Sequence, residues 1–195
     1  MNGNVKGWIG FLVLVIIVIG GAFGTSHILP SKISALTVTS MSSNVKGDFI
    51  ASNATYYVNL SSPAVTSLSF NISVKAPVAT GAVNATIIPP VLLNITQFNS
   101  TYNSTYAALI KQGESPSNAT ANATTVAYQD STYDLFNNTY VNTSLKGGIA
   151  TVSFTATLNS TALSLMKTGE PVIASFTAAS GQYGVVGSIV VTKDY

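Results

Sequence analysis

Twelve asparagines stand two residues before Ser or Thr with a non-proline residue between, the acceptor spacing of N-linked glycosylation. They are Asn53, Asn59, Asn71, Asn84, Asn94, Asn99, Asn103, Asn118, Asn122, Asn137, Asn142 and Asn159. A chain rich in Asn, Ser and Thr makes this triplet by chance, so the placement of the acceptors is better evidence than their number. Sugars on outward positions add hydration and steric cover without charge. Closely spaced acceptors such as Asn118 and Asn122 crowd one another.

Other chemistry finds little support. His27 is the only histidine and lies beside the end of an apolar N-terminal run, where a Ser-His-Asp triad or a His-ligated metal has no pocket. Asp130 and Asp134 lack the dense oxygen spacing of a calcium loop, and read as solvated. The Gly181 to Gly187 stretch, GQYGVVG, precedes a strand rather than a helix and reads as a turn, not a phosphate cradle. A Lys-Asn isopeptide crosslink would suit a chain without cysteine, yet no spacing identifies its partners. Asp130, Asp134 and Glu170 are the residues to mutate if a hydrolytic activity were found. No catalytic residue and no metal ligand is assigned, the chain is expected not to be an enzyme, and the only attached groups expected are N-linked glycans.

The composition agrees with a neutral, sugar-covered surface. Only 7% of the 195 residues are charged, the eight basic ones are all lysine, and the net charge is +2. Soluble domains carry about a quarter charged residues. No basic cluster exists to meet a nucleic acid. In strong acid carboxylates are protonated and ion pairs stop contributing, so a hydroxyl- and glycan-coated surface suits an acidic habitat. With no cysteine, stability must come from packing, hydrogen bonding and assembly.

The N-terminus points outside the cell. Lys6 precedes an apolar run of 16 residues, Trp8 to Phe23, shorter than the ~20 a spanning helix needs. Residues 1–24 read first as a signal peptide, with Ala22-Phe23-Gly24 as the cleavage site. Retention as a membrane anchor ending at Pro30, and processing after Gly7 with the apolar helix kept, are the other two readings.

Residues 48–195 read as strands. Ile50, Ala54, Tyr56, Val58 and Leu60 share one face while Asn53, Tyr57 and Asn59 share the other. Leu68, Phe70, Ile72 and Val74 alternate with polar residues, as do Ala150, Val152, Phe154, Ala156 and Leu158. Val91, Leu93 and Ile95 are expected inward with Asn94 outward, and further strands are expected at Pro171 to Ala178 and Val185 to Thr192. Such strands pack two faces together, so the expected fold is all-β, an immunoglobulin-like or pilin-like β-sandwich preceded by an N-terminal apolar helix. Only two short helices are expected in the domain, around Tyr102 to Ile110 and Ala162 to Met166. The stretch from Asn99 to Gly148 reads otherwise as long decorated loops or an inserted hairpin.

Residues 25–47 form a tail. Ser31 to Met41 is β-prone with neither face cleanly apolar: Ile33, Ala35 and Met41 lie on one, Leu36 and Val38 on the other. It reads as the domain's first strand or as a donor strand that completes the next subunit by β-augmentation. A head-to-tail contact of that kind does not close and so builds a filament.

The export signal, the β-prone tail and the sequon-laden, cysteine-free sandwich together resemble, in general plan over the whole chain, the subunit of archaeal threads. These are heavily glycosylated, type-1-pilin-like surface filaments joined by donor strands. The resemblance implies Ile33, Ala35, Leu36 and Val38 as donor-strand residues and other copies of the chain as partners. It also implies an extracellular, cell-surface location and a role in adhesion or biofilm. A weaker resemblance, carried by Lys6-Gly7, is to archaeal type IV adhesion pilins, although the run that follows contains Gly20-Gly21 and no acidic residue precedes Asp48. A monomeric, membrane-anchored envelope glycoprotein is the alternative. No nucleic acid is expected as a partner, and the membrane is met only through the N-terminal segment.

Overall fold

A computed structural model describes residues 35–195; the N-terminal apolar segment, His27 and Ile33 lie outside the described residues. Of the described residues 50% are in strands and 26% in helices. Among the described residues eleven strands are formed: β1 Thr37–Ser43, β2 Gly47–Ile50, β3 Thr55–Leu60, β4 Ser67–Lys75, β5 Thr80–Ile88, β6 Val91–Leu93, β7 Thr132–Asp134, β8 Thr139–Lys146, β9 Ile149–Thr157, β10 Val172–Ser180 and β11 Tyr183–Lys193. Three α-helices of the same described residues are interspersed: α1 Ile95–Lys111, α2 Pro116–Ser131 and α3 Ser160–Leu165.

Strict alternation explains the long strands. In β4 the inward set Leu68, Phe70, Ile72 and Val74 is buried, and in β9 Ala150, Val152, Phe154 and Ala156 are. These two strands pair antiparallel over their whole length, with Phe70 opposite Phe154. A period of two puts every apolar side chain of each strand on the same side, which fixes the register.

Nine strands make one nearly closed sheet in the order β1-β4-β9-β8-β5-β10-β11-β3-β2. All neighbours are antiparallel except β11 and β3, which run parallel. The ladder is thinnest between β8 and β9, where only Lys146 and Ile149 pair, across a turn whose Gly147 and Gly148 have φ of 60° and 81°. Side chains from strands that are not neighbours in the sheet meet in the core. Phe154 of β9 meets Phe176 of β10 edge-on at 6.1 Å, and Tyr56 of β3 meets Phe70 of β4 edge-on at 6.2 Å. At the open seam the Leu36 N–H donates to the Gly184 carbonyl at 3.2 Å, tying the start of β1 to β11.

The strand expected to run through residues 48–61 is broken. Residues Ala51–Asn53 form a 3₁₀ turn and Ala54 adopts a left-handed conformation at φ 50°, so that β2 folds back antiparallel on β3, Phe49 opposite Tyr56. Ile50 is therefore exposed instead of sharing the inward face. The weak strand formers Ser52 and Asn53 yield to the turn. Gly187 lies against it: a Cβ there would sit 2.5 Å from the Ala54 carbonyl oxygen, so only glycine lets β11 approach this close.

β1 resolves the puzzle of its two mixed faces. Its pairing with β4 shifts register between Val38 and Ser40, so Val38 and Met41, an odd number apart, are both buried. A bulge of this kind inserts one residue and flips the phase of the strand.

The largest departure is the segment after residue 93. Val91 and Ile95 are exposed while Leu92 is buried, the reverse of the expected phase, because the strand ends at Leu93 and a helix begins. Asn94 caps α1, its side-chain oxygen accepting from the Gln97 N–H at 3.1 Å. Ser115 caps α2 with Pro116 in its first turn. Instead of decorated loops, the chain makes two long helices, of 17 and 16 residues, turning at Gly113 with φ 86°. The expected short helix near Tyr102 to Ile110 is the second half of α1, and the one near Ala162 is α3.

The two long helices pack chiefly on each other. Ala119, Ala123, Ala127 and Ser131 of α2 are buried at four-residue spacing, whereas α1 has no buried residue. Its Phe98, Tyr102 and Tyr106 stack in a row with ring centroids 6.3 and 6.0 Å apart. The short β6–β7 ribbon joins this hairpin to the sheet, and Gln97 stitches its base, donating to the Asp130 carbonyl and accepting from the Tyr133 hydroxyl, both at 2.7 Å.

Candidate glycan-acceptor surface and edge strand

The twelve sequon asparagines fall into four settings. Asn59 in β3, Asn71 in β4, Asn84 in β5 and Asn142 in β8 lie on strands and are exposed, because their neighbours in sequence take the inward positions. Asn53 ends the 3₁₀ turn and Asn137 lies in the loop before β8; both are exposed. Asn99 and Asn103 on α1, and Asn118 and Asn122 on α2, are exposed on the helical hairpin, each pair one turn apart. Asn94 and Asn159 are half-buried, and each caps a helix.

These last two differ in chemistry as well as exposure. The Asn159 side-chain oxygen accepts from the N–H groups of Thr161 and Ala162 at 3.0 and 3.3 Å, as that of Asn94 does from Gln97. Both side chains are therefore held against the first helical turn, where they satisfy donors that no carbonyl reaches. The cap signal was present in the sequence as Asn followed by a helical pattern, and the sequon spacing masked it.

The strand acceptors also have partners. Asn71 accepts from the Ser153 hydroxyl at 2.7 Å across the β4–β9 ladder. Asn84 lies directly opposite Asn142, and its side-chain oxygen accepts from the Asn142 carboxamide at 2.5 Å and the Tyr140 hydroxyl at 2.7 Å. Asn59 donates to the Asp194 carboxylate beside an open cleft of about 390 Å³ lined by Lys46, Asp48, Tyr57, Asn59 and Thr192. No asparagine follows Asn159, so β10 and β11 carry no acceptor and expose Ile173 and Val186 instead.

Of the four residues expected in a donor strand, Leu36 and Val38 are 1% and 3% exposed within the core of their own chain, Ala35 is exposed, and Ile33 lies outside the described residues. Among the described residues β1 ends the sheet and is paired in the ladder with β4 alone. Asn44 extends that grip beyond the strand. Its side chain donates to the Ser67 carbonyl at 3.0 Å and accepts from the Ser69 N–H at 2.7 Å.

The residues considered for other chemistry remain apart. Asp130 and Asp134 are exposed at the end of α2 and in β7. Glu170 forms an exposed ion pair with Lys167 at 3.2 Å. Among the described residues no group of three or more His, Cys, Asp or Glu side chains converges on a possible metal position. None of their helices is long and apolar enough to cross a membrane. The Gly181 to Gly187 stretch is the β10–β11 turn and the start of β11. Burial raises the Tyr56 hydroxyl above the ordinary tyrosine range, with a smaller push from Asp48 and a backbone hydrogen bond at Ser43 acting the other way. Neither a protein family nor a curated protein matches the chain.

Proposed function

We propose that the chain is an exported, N-glycosylated structural subunit of a cell-surface filament, polymerising head to tail by donation of β1, with a role in adhesion or biofilm. The observation that carries the reading is the position of β1. Among the described residues it is the last strand of the sheet and has one ladder neighbour, and yet it supplies Val38 and Met41, with Leu36 just before it, to the core. Removing such a strand leaves an apolar groove and an unpaired edge on β4, which an identical strand from another copy fills with the same contacts. Asn44 would travel with β1, so residues 45–46 would be the hinge of this exchange.

The finer fold reading is a pilin-like or immunoglobulin-like sandwich. It is supported by the single β8–β9 pair, where the sheet turns over, and by the aromatic contacts that join its two parts. The glycoprotein reading is supported by ten of the twelve acceptors being exposed.

The absence of cysteine allows a clean test. Thr37 and Lys75 are opposed across β1 and β4. A chain carrying Thr37→Cys is mixed with one carrying Lys75→Cys under assembly conditions and oxidised. Donation of β1 gives disulfide-linked pairs of different chains on a non-reducing gel. If the mixture gives none while the double variant closes a bond within one chain, β1 stays at home and the monomeric, anchored glycoprotein is the better reading.

A further inference from the structure

Two pentapeptides of the chain are near copies: Tyr57-Val58-Asn59-Leu60-Ser61 and Tyr140-Val141-Asn142-Thr143-Ser144. Both lie largely within strands, β3 and β8, and alternate residues of a strand share a side. Tyr57 therefore stands beside Asn59, and Tyr140 beside Asn142, on the outward face. These tyrosines are 43% and 63% exposed, whereas every other described tyrosine except the terminal Tyr195 is buried or half-buried. Twice, then, the sequence leaves an aromatic ring in water two residues before a sequon asparagine.

We propose that Tyr57 and Tyr140 are stacking platforms for the first sugar carried by Asn59 and Asn142. The inference rests on the reading of these sequons as glycosylated. Residues two apart on a strand are separated by about 6.5–7 Å, so a sugar ring linked to the asparagine reaches back over the tyrosine. One face of a pyranose carries C–H groups, and the electron-rich face of the phenol attracts them while both apolar surfaces leave water.

The surroundings fit each site separately. Beside Asn59, the cleft of about 390 Å³ has room for a sugar ring, with Lys46, Asp48, Ser61 and Thr192 to meet its hydroxyls. Beside Asn142, the Asn84 side-chain oxygen holds the Tyr140 hydroxyl at 2.7 Å and the acceptor carboxamide at 2.5 Å, fixing ring and acceptor side by side. Glycosylation joins Nδ2 to the anomeric carbon of a phosphate-activated, lipid-carried sugar. The carrier phosphate leaves, the amide gives up one proton, and the second N–H remains for Asn84 or Asp194.

The test compares the full chain made in an N-glycosylating host with the same chain made in a host that does not glycosylate. In the glycosylated form Tyr57→Ala and Tyr140→Ala each lower Tm by about 2–4 °C more than in the bare form. Tyr57→Phe retains the effect, and Asn59→Gln removes the difference between the two forms at Tyr57. Ser69→Ala, two residues before the sequon at Asn71, shows no such difference. Equal shifts in both forms overturn the platform. So does a peptide mass map with sugar elsewhere but none on Asn59 and Asn142. A map bare at all twelve sequons overturns the glycoprotein reading together with it.

Discussion

The β-body and the helical hairpin are built on opposite principles. The body buries Phe70, Phe154, Phe176, Leu60 and Ile72 completely, on strands whose partners are far apart in sequence. The hairpin buries three alanines and a serine, and its aromatic residues stay half-exposed along α1. Apolar area removed from water sets the scale of stabilisation, so the body holds the domain together and the hairpin rides on it. Four sequons ride with it on its exposed faces. An element that carries little of the core is free to serve as surface, which would suit the glycosylated subunit proposed above.

The sharpest test of this contrast is Phe154→Ala. The ring is fully buried against Phe176, and its loss should destabilise the domain by about 3–5 kcal/mol. In urea unfolding, the strand signal and the hairpin's helical signal should then both shift, because the three alanines and one serine that the hairpin buries are too little apolar area to hold two helices on their own. A helical signal that kept its own midpoint would show the hairpin to be an independent unit.

The converse is Ala123→Leu. Ala123 is wholly buried at the middle of α2, and the added atoms should force the helices apart at about 1–3 kcal/mol. Amide exchange should quicken along α1 and α2 while β4, β9 and β10 keep their protection. A uniform loss of protection across both regions would break the comparison.

How much of this the sequence revealed divides along the same line. In β4 and β9 the alternation of large apolar with polar residues has one reading, and the structure places Leu68, Phe70, Val152 and Phe154 inward as the pattern requires. The hairpin was illegible because its stripe is alanine: at Ala119, Ala123 and Ala127 the apolar signal is a single methyl, hidden among Asn and Thr. The Ser115-Pro116 start was the available clue. β1 was half-legible, since its bulge breaks the period that would have declared its inward face. The sequons at Asn94 and Asn159 kept their spacing but concealed their structural role, because one side chain can be read as acceptor or as cap.

A smaller effect separates the regions by pH. The folded-state pKa of Tyr56 lies above its unfolded value, so its neutral form is favoured by folding. The stability this provides is fully present below pH ~10 and is lost as pH rises through the raised folded pKa. Tyr56→Phe should flatten that alkaline decline in a series of urea midpoints. Tyr56 lies on β3, opposite Phe49 of β2, so the decline should register in the body's strands first. A decline of the same steepness in Tyr56→Phe would assign it to other groups.

The smallest expected effect lies where the two regions join. Asn94 follows β6, caps α1, and receives a backbone tie through its own N–H to the Ser131 carbonyl at 2.8 Å. Asn94→Ala removes both cap and sequon and should cost about 1 kcal/mol, seen as faster amide exchange in the first turn of α1. Asn94→Ser removes the sequon but keeps a capping oxygen, so it should restore most of that protection. If the position serves the helix, the serine variant behaves like the parent in both glycosylating and non-glycosylating hosts. Should Asn94→Ser instead match Asn94→Ala in the glycosylated protein alone, a sugar at this joint, and not the cap, would be what secures the hairpin to the body.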